Sequence, residues 1–576
     1  MLFFKAKPEQ ALVVKEILDT YARCTGELLN PSKCSIMFNK KGAEDDQNQV
    51  KHILGVELSS FEPKYLGLPT PSGRMKKDRF QSLKERLSKR LRDYSEKHMS
   101  SGAKEVLIKS VAQALPTYIM SVFQIPLGLC DSMTSIIREF WWGTEKGKRK
   151  MAWAGWNTLI QKKSYGGMGF KDLRLFNQAL LARQAWRLME YPDSLCARLL
   201  KARYYPRGCL VDTSFCSNAS STWQSILHGL ELLKQGVIWR IGDGRKVRIW
   251  RDPWIPRELS LRVTTTKGRQ RSKWVAELLD ANGRQWDFNK LIAMFNPADA
   301  DAIARIKIPT RASEDVLAWH FDRTGTFTVR SVYNLAMQLK HKQGEEASSS
   351  SPNGERNIWS NIWKTRVPAK VKIFALKLSK DILPTKNNKF KRKLEADGTC
   401  DLCGLASETS FHAVVTCQQA YNLRQAMREH WELPAEHRFA PSGPDWLLVL
   451  LDGCTSEQKE NTLLMLWRAW LVHNNITHES GPTGVTDSVH ALLCLKSSLQ
   501  DAENHQELEF NGKGKMQIGS AQSGLRKEAS NPRETWSYPP DGWIKLNVDA
   551  SFVDATGCAG AGMVARDSEG RVKFTA

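Results

Sequence analysis

Four soft ligands in one short stretch, Cys400-x2-Cys403-x8-His412-x4-Cys417, constrain this chain more than any other feature. Two thiols separated by two residues can hold one metal ion from a tight turn, and Gly404 eases that turn. A histidine and a cysteine further on complete a tetrahedron of the Cys3His kind, a set suited to Zn2+. With all four positions filled by protein, the ion has no place for water and serves structure, pinning a helical domain too small to be stable without it. The alternative is four unrelated residues. His430, His437, His473, His478 and His490 lack comparable spacing and read as surface or capping residues. The chain has 12 cysteines. Those outside the cluster are irregularly spaced, which argues against a disulfide scaffold and for a reducing compartment.

A chain of 576 residues divides into several units, at about 100–200 residues per domain. Two polar stretches, 341–356 with its run of serines and 501–534 with scattered glycines, cannot offset their ordering entropy by burial and read as linkers. They cut the chain into 1–340, 357–500 and 535–576. The apolar window Val106 to Leu129 carries Lys109 and Pro116, so it reads as two buried segments with a break rather than a membrane span. The start, Met1 to Pro8, is interrupted by Lys5 and Lys7 and lacks the apolar core of a secretion signal, so no secretion is expected.

Charge narrows the partners. The formal charge is +23, which favours a polyanion such as nucleic acid. From Lys76 to Lys97 the residues Phe80, Leu83, Leu87, Leu91 and Tyr94 recur at helical steps, while the other faces are mostly basic. That face is either an ordinary solvated one or a surface that follows phosphates. Between Arg138 and Arg251 there are 21 basic residues against eight acidic ones, interleaved with Phe140, Trp141, Trp142, Trp153, Trp156, Trp186, Trp223, Trp239 and Trp250. Such a mixture suits base stacking on single strands, or it is core. Ile238 to Pro256 reads as a hairpin reversing at Gly242-Asp243-Gly244, and Gly166 to Gly169 as a turn. Asp45 and Asp46 fall in a polar loop.

In their order, several strings resemble the plant LINE-type, non-LTR retrotransposon polyproteins, from the end of the reverse transcriptase palm through a zinc-binding domain into ribonuclease H. They are Gly26-Glu-Leu-Leu-Asn-Pro-Ser-Lys33, Lys64-Tyr-Leu-Gly-Leu-Pro69, the basic helix with Ile108-Lys109-Ser110-Val111, Phe140-Trp-Trp-Gly143, Gly166-Gly-Met-Gly-Phe170, the turn after Trp239, the Cys3His cluster and Leu546-Asn-Val-Asp-Ala550. The resemblance spans nearly the whole chain. It implies an α+β multidomain protein: a palm remnant at 1–75, thumb-like basic helices at 76–137 and a Trp-rich basic connector at 138–340. After the linker 341–356 come a zinc-binding helical domain at 357–445, a helical extension at 446–500, the linker 501–534 and a truncated ribonuclease H-like sheet at 535–576.

For single residues, the resemblance implies that Lys33 is a general acid toward the pyrophosphate leaving group, and that Tyr65 and Gly67 lie in the turn that grips the primer. The thumb-like helix would follow the template–primer backbone with Lys84, Arg86, Lys89 and Arg90. Asp549 would be the first metal-binding carboxylate of ribonuclease H. Both activities of the family need several carboxylates around two Mg2+ ions, and the rest of each set lies outside these motifs. Mg2+ is therefore expected only where other residues complete a site. The reading is a region that binds RNA, DNA or their hybrid with Zn2+ as structural ion, without turnover of its own, acting in the nucleus. The alternatives are a section of a longer active reverse transcriptase/ribonuclease H, and a zinc-binding scaffold.

Overall fold

A computed structural model of the chain describes residues 2–512 and 541–575, except for 3, 29, 31–33, 39–42, 58–63, 70–79, 96–98, 146–147, 214–218, 258–259, 281, 284, 310, 312, 345–356, 542–544, 554–557 and 570. Inside some elements only the backbone is described, as at Tyr65 and Asp549. Two compact units emerge, Met1–Gln500 and Asp501–Ala576. The described residues are mostly helical with small antiparallel sheets, in keeping with the α+β class.

Helix α1 (Pro8–Thr25) opens on a proline and ends at Gly26 in the left-handed region, the usual asymmetry of helix ends. Helix α2 (Glu44–Leu54) carries Glu44, Asp45 and Asp46 in its first turn, where the helix dipole favours acids. This corrects the expected loop: Asp45 and Asp46 are helical, and Asp46 pairs with Lys7 at 2.8 Å. Strands β1 (Lys64–Tyr65) and β2 (Leu68–Pro69) form a hairpin turning through Leu66 (φ 49°) and Gly67 (φ 74°). Two consecutive positive φ angles suit the twist of a two-residue hairpin.

Helix α3 (Gln81–Ser95) extends the turn at Phe80, and its apolar stripe is sealed: Phe80, Leu83, Leu87 and Leu91 are 1–2% exposed. Helix α4 (Ser101–Leu107) is capped by the Ser100 hydroxyl and runs into a π-turn, Ile108–Ala112. Pro116 then interrupts the chain before α5 (Thr117–Met120), the break expected in this apolar window. Among the described residues no helix is long and apolar enough to cross a membrane. Helix α6 (Leu127–Trp142) packs on α3.

Beyond the short strands β3 (Thr144–Glu145) and β4 (Lys148–Arg149) and helix α7 (Trp156–Ile160), Gly166 and Gly169 turn with positive φ as expected. Helix α8 (Leu173–Glu190) starts at Asp172, whose carboxylate accepts from the Arg174 and Leu175 N–H groups. After α9 (Leu195–Tyr204) comes α10 (Ser221–Leu233), which lies so close to α8 that a Cβ on Gly229 would be 2.2 Å from the Leu181 carbonyl carbon. Glycine is required there by contact, not by φ.

The expected hairpin after Ile238 does not form. Strand β5 (Val237–Arg240) pairs instead with β6 (Val316–Trp319), and Arg248 bridges Trp274. The Gly242–Gly244 turn is held by Asp315, whose carboxylate accepts from the Gly242, Gly244 and Lys246 N–H groups at 2.8–2.9 Å. A remote carboxylate thus organises what looked like a local reversal. Between these strands a separate core (Ile241, Val247, Trp254, Val275, Trp286) is closed by α11 (Phe288–Met294) and α12 (Pro297–Ala304). Asp299 anchors it. Burial pushes that carboxyl up, but hydrogen bonds from Thr265, Thr264 and Arg257 win and hold it below the ordinary range.

Helix α13 (Val329–Gly344) packs on α8 in a second core with Trp186, Trp223 and Trp319. The largest core crosses the polar stretch 341–356. It joins Phe80, Met133 and Phe170 to residues of α14 (Ser360–Trp363), α15 (Ala369–Ser379), α18 (Trp446–Asp452) and α19 (Ser456–Thr477). Helices α16 (Lys386–Lys391) and α17 (Gln418–Arg428) flank the cysteines, and α20 (Val485–Gly512) follows α19. Of the nine aromatics in the basic region, Phe140, Trp141, Trp186 and Trp223 are buried and the others half-buried, so packing accounts for them better than a free stacking platform. In the second unit, β7 (Lys545–Val553), β8 (Cys558–Arg566) and β9 (Val572–Thr575) make an antiparallel meander.

Candidate metal centre

The segment after α16 folds back on itself: Thr399 bridges Ser407, the Cys400 N–H donates to the Ala406 carbonyl at 2.9 Å, and the Gly404 N–H to the Cys400 carbonyl at 2.8 Å. Gly404 takes φ +64° with open space around it, the left-handed geometry a knuckle between two thiols needs. Both sulfurs therefore face inward from one tight loop.

The other two ligands come from an unusual helix. In an α-helix, residues five apart point about 140° away from each other, since each residue turns about 100°. Here His412–Thr416 is a π-turn, closed by the Cys417 N–H donating to the His412 carbonyl at 2.8 Å. The wider turn brings residues five apart nearly into line, so His412 and Cys417 face the same point. Cys417 is also the N-cap of α17.

The four ligand atoms all lie within 4.8 Å of one another, with Cys403 Sγ 3.4 Å from His412 Nε2. Cys400, His412 and Cys417 are buried and Cys403 half-buried. His412 Nδ1 is 3.0 Å from the Thr416 hydroxyl; as donor there, it leaves Nε2 as the metal-facing atom. Burial pushes the Cys400 thiol up to about 12 and raises Cys417, while the Leu405 N–H pulls Cys403 down; burial lowers His412. Three sulfurs and one nitrogen, screened from water, make a chemical set that fits Zn2+, whose charge would hold the thiolates in place.

Sequence reasoning missed a neighbour. His473 was expected at the surface, but it is 3% exposed on α19, with Nε2 4.0 Å from Cys400 Sγ and 3.5 Å from a Glu408 oxygen. Glu408, also buried, accepts the Lys386 N–H at 2.8 Å. Cys400, Glu408 and His473 form a second close group beside the first. The signal was present: Leu463, Leu466, Ala469, Trp470 and His473 share the buried face of α19. His430, His437, His478 and His490 are exposed, as expected.

The remaining expected residues stand apart. Lys33 lies outside the described residues. Tyr65 is in β1 and Gly67 at the hairpin tip, where the Tyr118 hydroxyl donates to the Leu66 carbonyl at 2.8 Å. On α3, Lys84 is half-buried and Arg86, Lys89 and Arg90 are exposed. Asp549 lies in β7 opposite Gly562.

Residues 327–423, which contain all four ligands, match the family described as zinc-binding in reverse transcriptase. That defines the class of the centre. A protein of Arabidopsis thaliana provisionally named a ribonuclease H protein is 27% identical over 519 residues, 87% of this chain and 78% of that one. An uncharacterized mitochondrial protein of Arabidopsis thaliana is 44% identical over 149 residues, 26% of this chain and 97% of its own length. Together these matches place the chain with reverse transcriptase/ribonuclease H polyprotein regions.

Proposed function

We propose that this chain is a nucleic-acid-gripping region of such a polyprotein, in which residues 1–75 are palm-derived, 76–137 thumb-like, 357–445 the zinc-binding domain and 535–576 the first ribonuclease H strands. The carrying observation is helix α3. Its apolar stripe is spent on the core, which fixes the helix's rotation and leaves Arg86, Lys89 and Arg90 facing water. Among the described residues none of these three forms an ion pair with a carboxylate. A fixed cationic face whose three charges are not tied up in ion pairs among the described residues suits the backbone of RNA, DNA or their hybrid. Lys33, Tyr65, Gly67 and Lys84 belong to the same grip in this reading, which carries the nuclear site of action with it.

Zinc, held by Cys400, Cys403, His412 and Cys417, would supply structure and no chemistry, because four protein ligands leave no open position. In the second unit Asp549 is the candidate carboxylate. Near it in sequence, Glu569 pairs with Arg571 at 2.6 Å and Asp567 with Lys573 at 3.0 Å, so neither is a spare ligand. One carboxylate does not hold two Mg2+ ions for in-line attack.

The test is titration of the purified, zinc-loaded chain with labelled oligonucleotides at several salt concentrations. Affinity should fall steeply and linearly on logarithmic axes; weak binding indifferent to salt would favour a scaffold. With Mg2+ added, an RNA–DNA hybrid should stay intact. Cleavage abolished by Asp549→Asn would overturn that part of the reading.

A further inference from the structure

Behind the Cys3His knuckle stands a second set of buried donors, brought together from three separate stretches of chain. Cys400 comes from the knuckle, Glu408 from the segment between the knuckle and the π-turn, and His473 from α19. They are 1%, 4% and 3% exposed. One ligand atom from each lies within 4.8 Å of the other two. Local bonds fix the carboxylate: the Glu408 N–H donates to the Gly398 carbonyl at 2.7 Å, and Oε1 accepts the Lys386 N–H at 2.8 Å. Oε2 is left turned toward His473, whose ring lies nearly parallel to the Trp470 indole with centroids 5.7 Å apart.

These three groups converge without bonding firmly to one another. His473 Nε2 is 3.5 Å from Glu408 Oε2 and 4.0 Å from Cys400 Sγ, whereas an N–H···O bond spans about 2.7–3.2 Å. Nδ1 of the same ring is buried and has no hydrogen-bond partner among the described residues. An imidazole sealed from water with neither nitrogen firmly bonded is costly, and a cation at Nε2 answers one of the two. The gaps are close to the edges of a coordination tetrahedron. With ordinary bond lengths, one Zn2+ sets a sulfur and a nitrogen about 3.6 Å apart, and a nitrogen and an oxygen about 3.3 Å apart. Charge points the same way. One Zn2+ among the three thiolates leaves the Cys3His centre with a negative charge, and an ionised Glu408 adds another beside it. A second Zn2+ cancels both, as buried charge requires.

We propose that Cys400, Glu408 and His473 bind a second Zn2+, with the Cys400 thiolate bridging the two ions. This rests on the Cys3His reading, because the first ion holds Cys400 as a thiolate and the second fills after it. Three protein donors leave the second ion's fourth position to water. Its ligands fasten the knuckle to α19, whose Leu463 and Leu466 lie in the largest core.

The experiment counts zinc bound to the full chain by equilibrium dialysis and atomic absorption, for the wild type, Glu408→Gln, His473→Gln and Cys403→Ser. The wild type should hold two ions, the Glu408 and His473 variants one, and Cys403→Ser less than one. A wild type that saturates at one ion overturns the proposal, and so does a wild type with two ions whose Glu408 and His473 variants keep both. In case those variants fail to fold, the wild type loaded with cadmium-113 decides by nuclear magnetic resonance: two signals coupled to each other through the shared sulfur are expected, and one signal or two uncoupled signals overturn the bridge. A single ion lost in Cys403→Ser and kept in Glu408→Gln and His473→Gln sinks the second site and leaves the Cys3His centre standing. A chain that binds no zinc, or one whose zinc survives Cys403→Ser undiminished, sinks both.

Discussion

Replacing Arg86, Lys89 and Arg90 together by Gln tests whether α3 touches phosphates. The three stand at i, i+3 and i+4, within one helical turn and on one face. The sealed stripe holds that face in a fixed direction, so they can neutralise up to three neighbouring phosphates. Each neutralised phosphate contributes about 0.9 to the salt slope on duplex and about 0.7 on a single strand, so the triple change should flatten the slope by roughly 2.7 or 2.1. Raising salt from about 50 to about 200 mM is a fourfold change, which those slopes turn into a roughly 40-fold or 20-fold loss of affinity that the wild type suffers and the variant escapes. Gln is nearly as good a helix former as Arg or Lys and no core contact is removed, so stability should move by less than about 0.5 kcal/mol. The assay is fluorescence anisotropy at four or more salt concentrations, with thermal melts alongside. An unchanged slope with an unchanged melt would refute phosphate contact by this helix and leave its charge as an ordinary solvated face.

Three further outcomes are expected. Cys403→Ser, which alters the most accessible ligand, should lower zinc content below one ion per chain by atomic absorption and loosen the segment around α17; unchanged zinc would sink the Cys3His assignment. Asp299→Ala strips a buried acceptor from Thr264, Thr265 and Arg257, so urea denaturation should show a loss of about 3–5 kcal/mol, the range for breaking a buried charge pair. The Arg424 guanidinium, bonded to Glu436, holds that carboxyl below its usual range despite partial burial. Its stabilisation is therefore present above the ordinary value of 4.5 and fades as pH falls through the lowered one. Because Glu436 is 43% exposed, solvent screening limits the cost of Glu436→Gln at neutral pH to about 1 kcal/mol. That gap between variant and wild type in thermal melts should close in acid.

The metal centre was legible because its ligands are chemically rare and locally spaced, and the α3 stripe because an apolar period needs no knowledge of its partner. What escaped depended on distant contacts. The segment after Trp239 has the turn glycines of a hairpin, but β5 finds β6 some eighty residues on, and Asp315 supplies the turn's acceptor. His473 was judged by its spacing from other ligands, when its place on the buried face of α19 was the informative fact. The polar stretch at 341–356 signalled a break, yet Phe80 and Leu466 share one core across it. Hydrophobic pattern tells which face is inward and is silent on what it meets.

The π-turn at His412–Thr416 is what a five-residue spacing demands of two ligands on one helix. Deleting one residue between His412 and Cys417 would let the backbone relax into ordinary helix, a more comfortable conformation locally. It would leave the two ligands four apart, only about 40° apart around an ordinary helix and so still on one face. An added residue would instead set them about 120° apart, so this interval can shorten to ordinary helix more readily than it can lengthen.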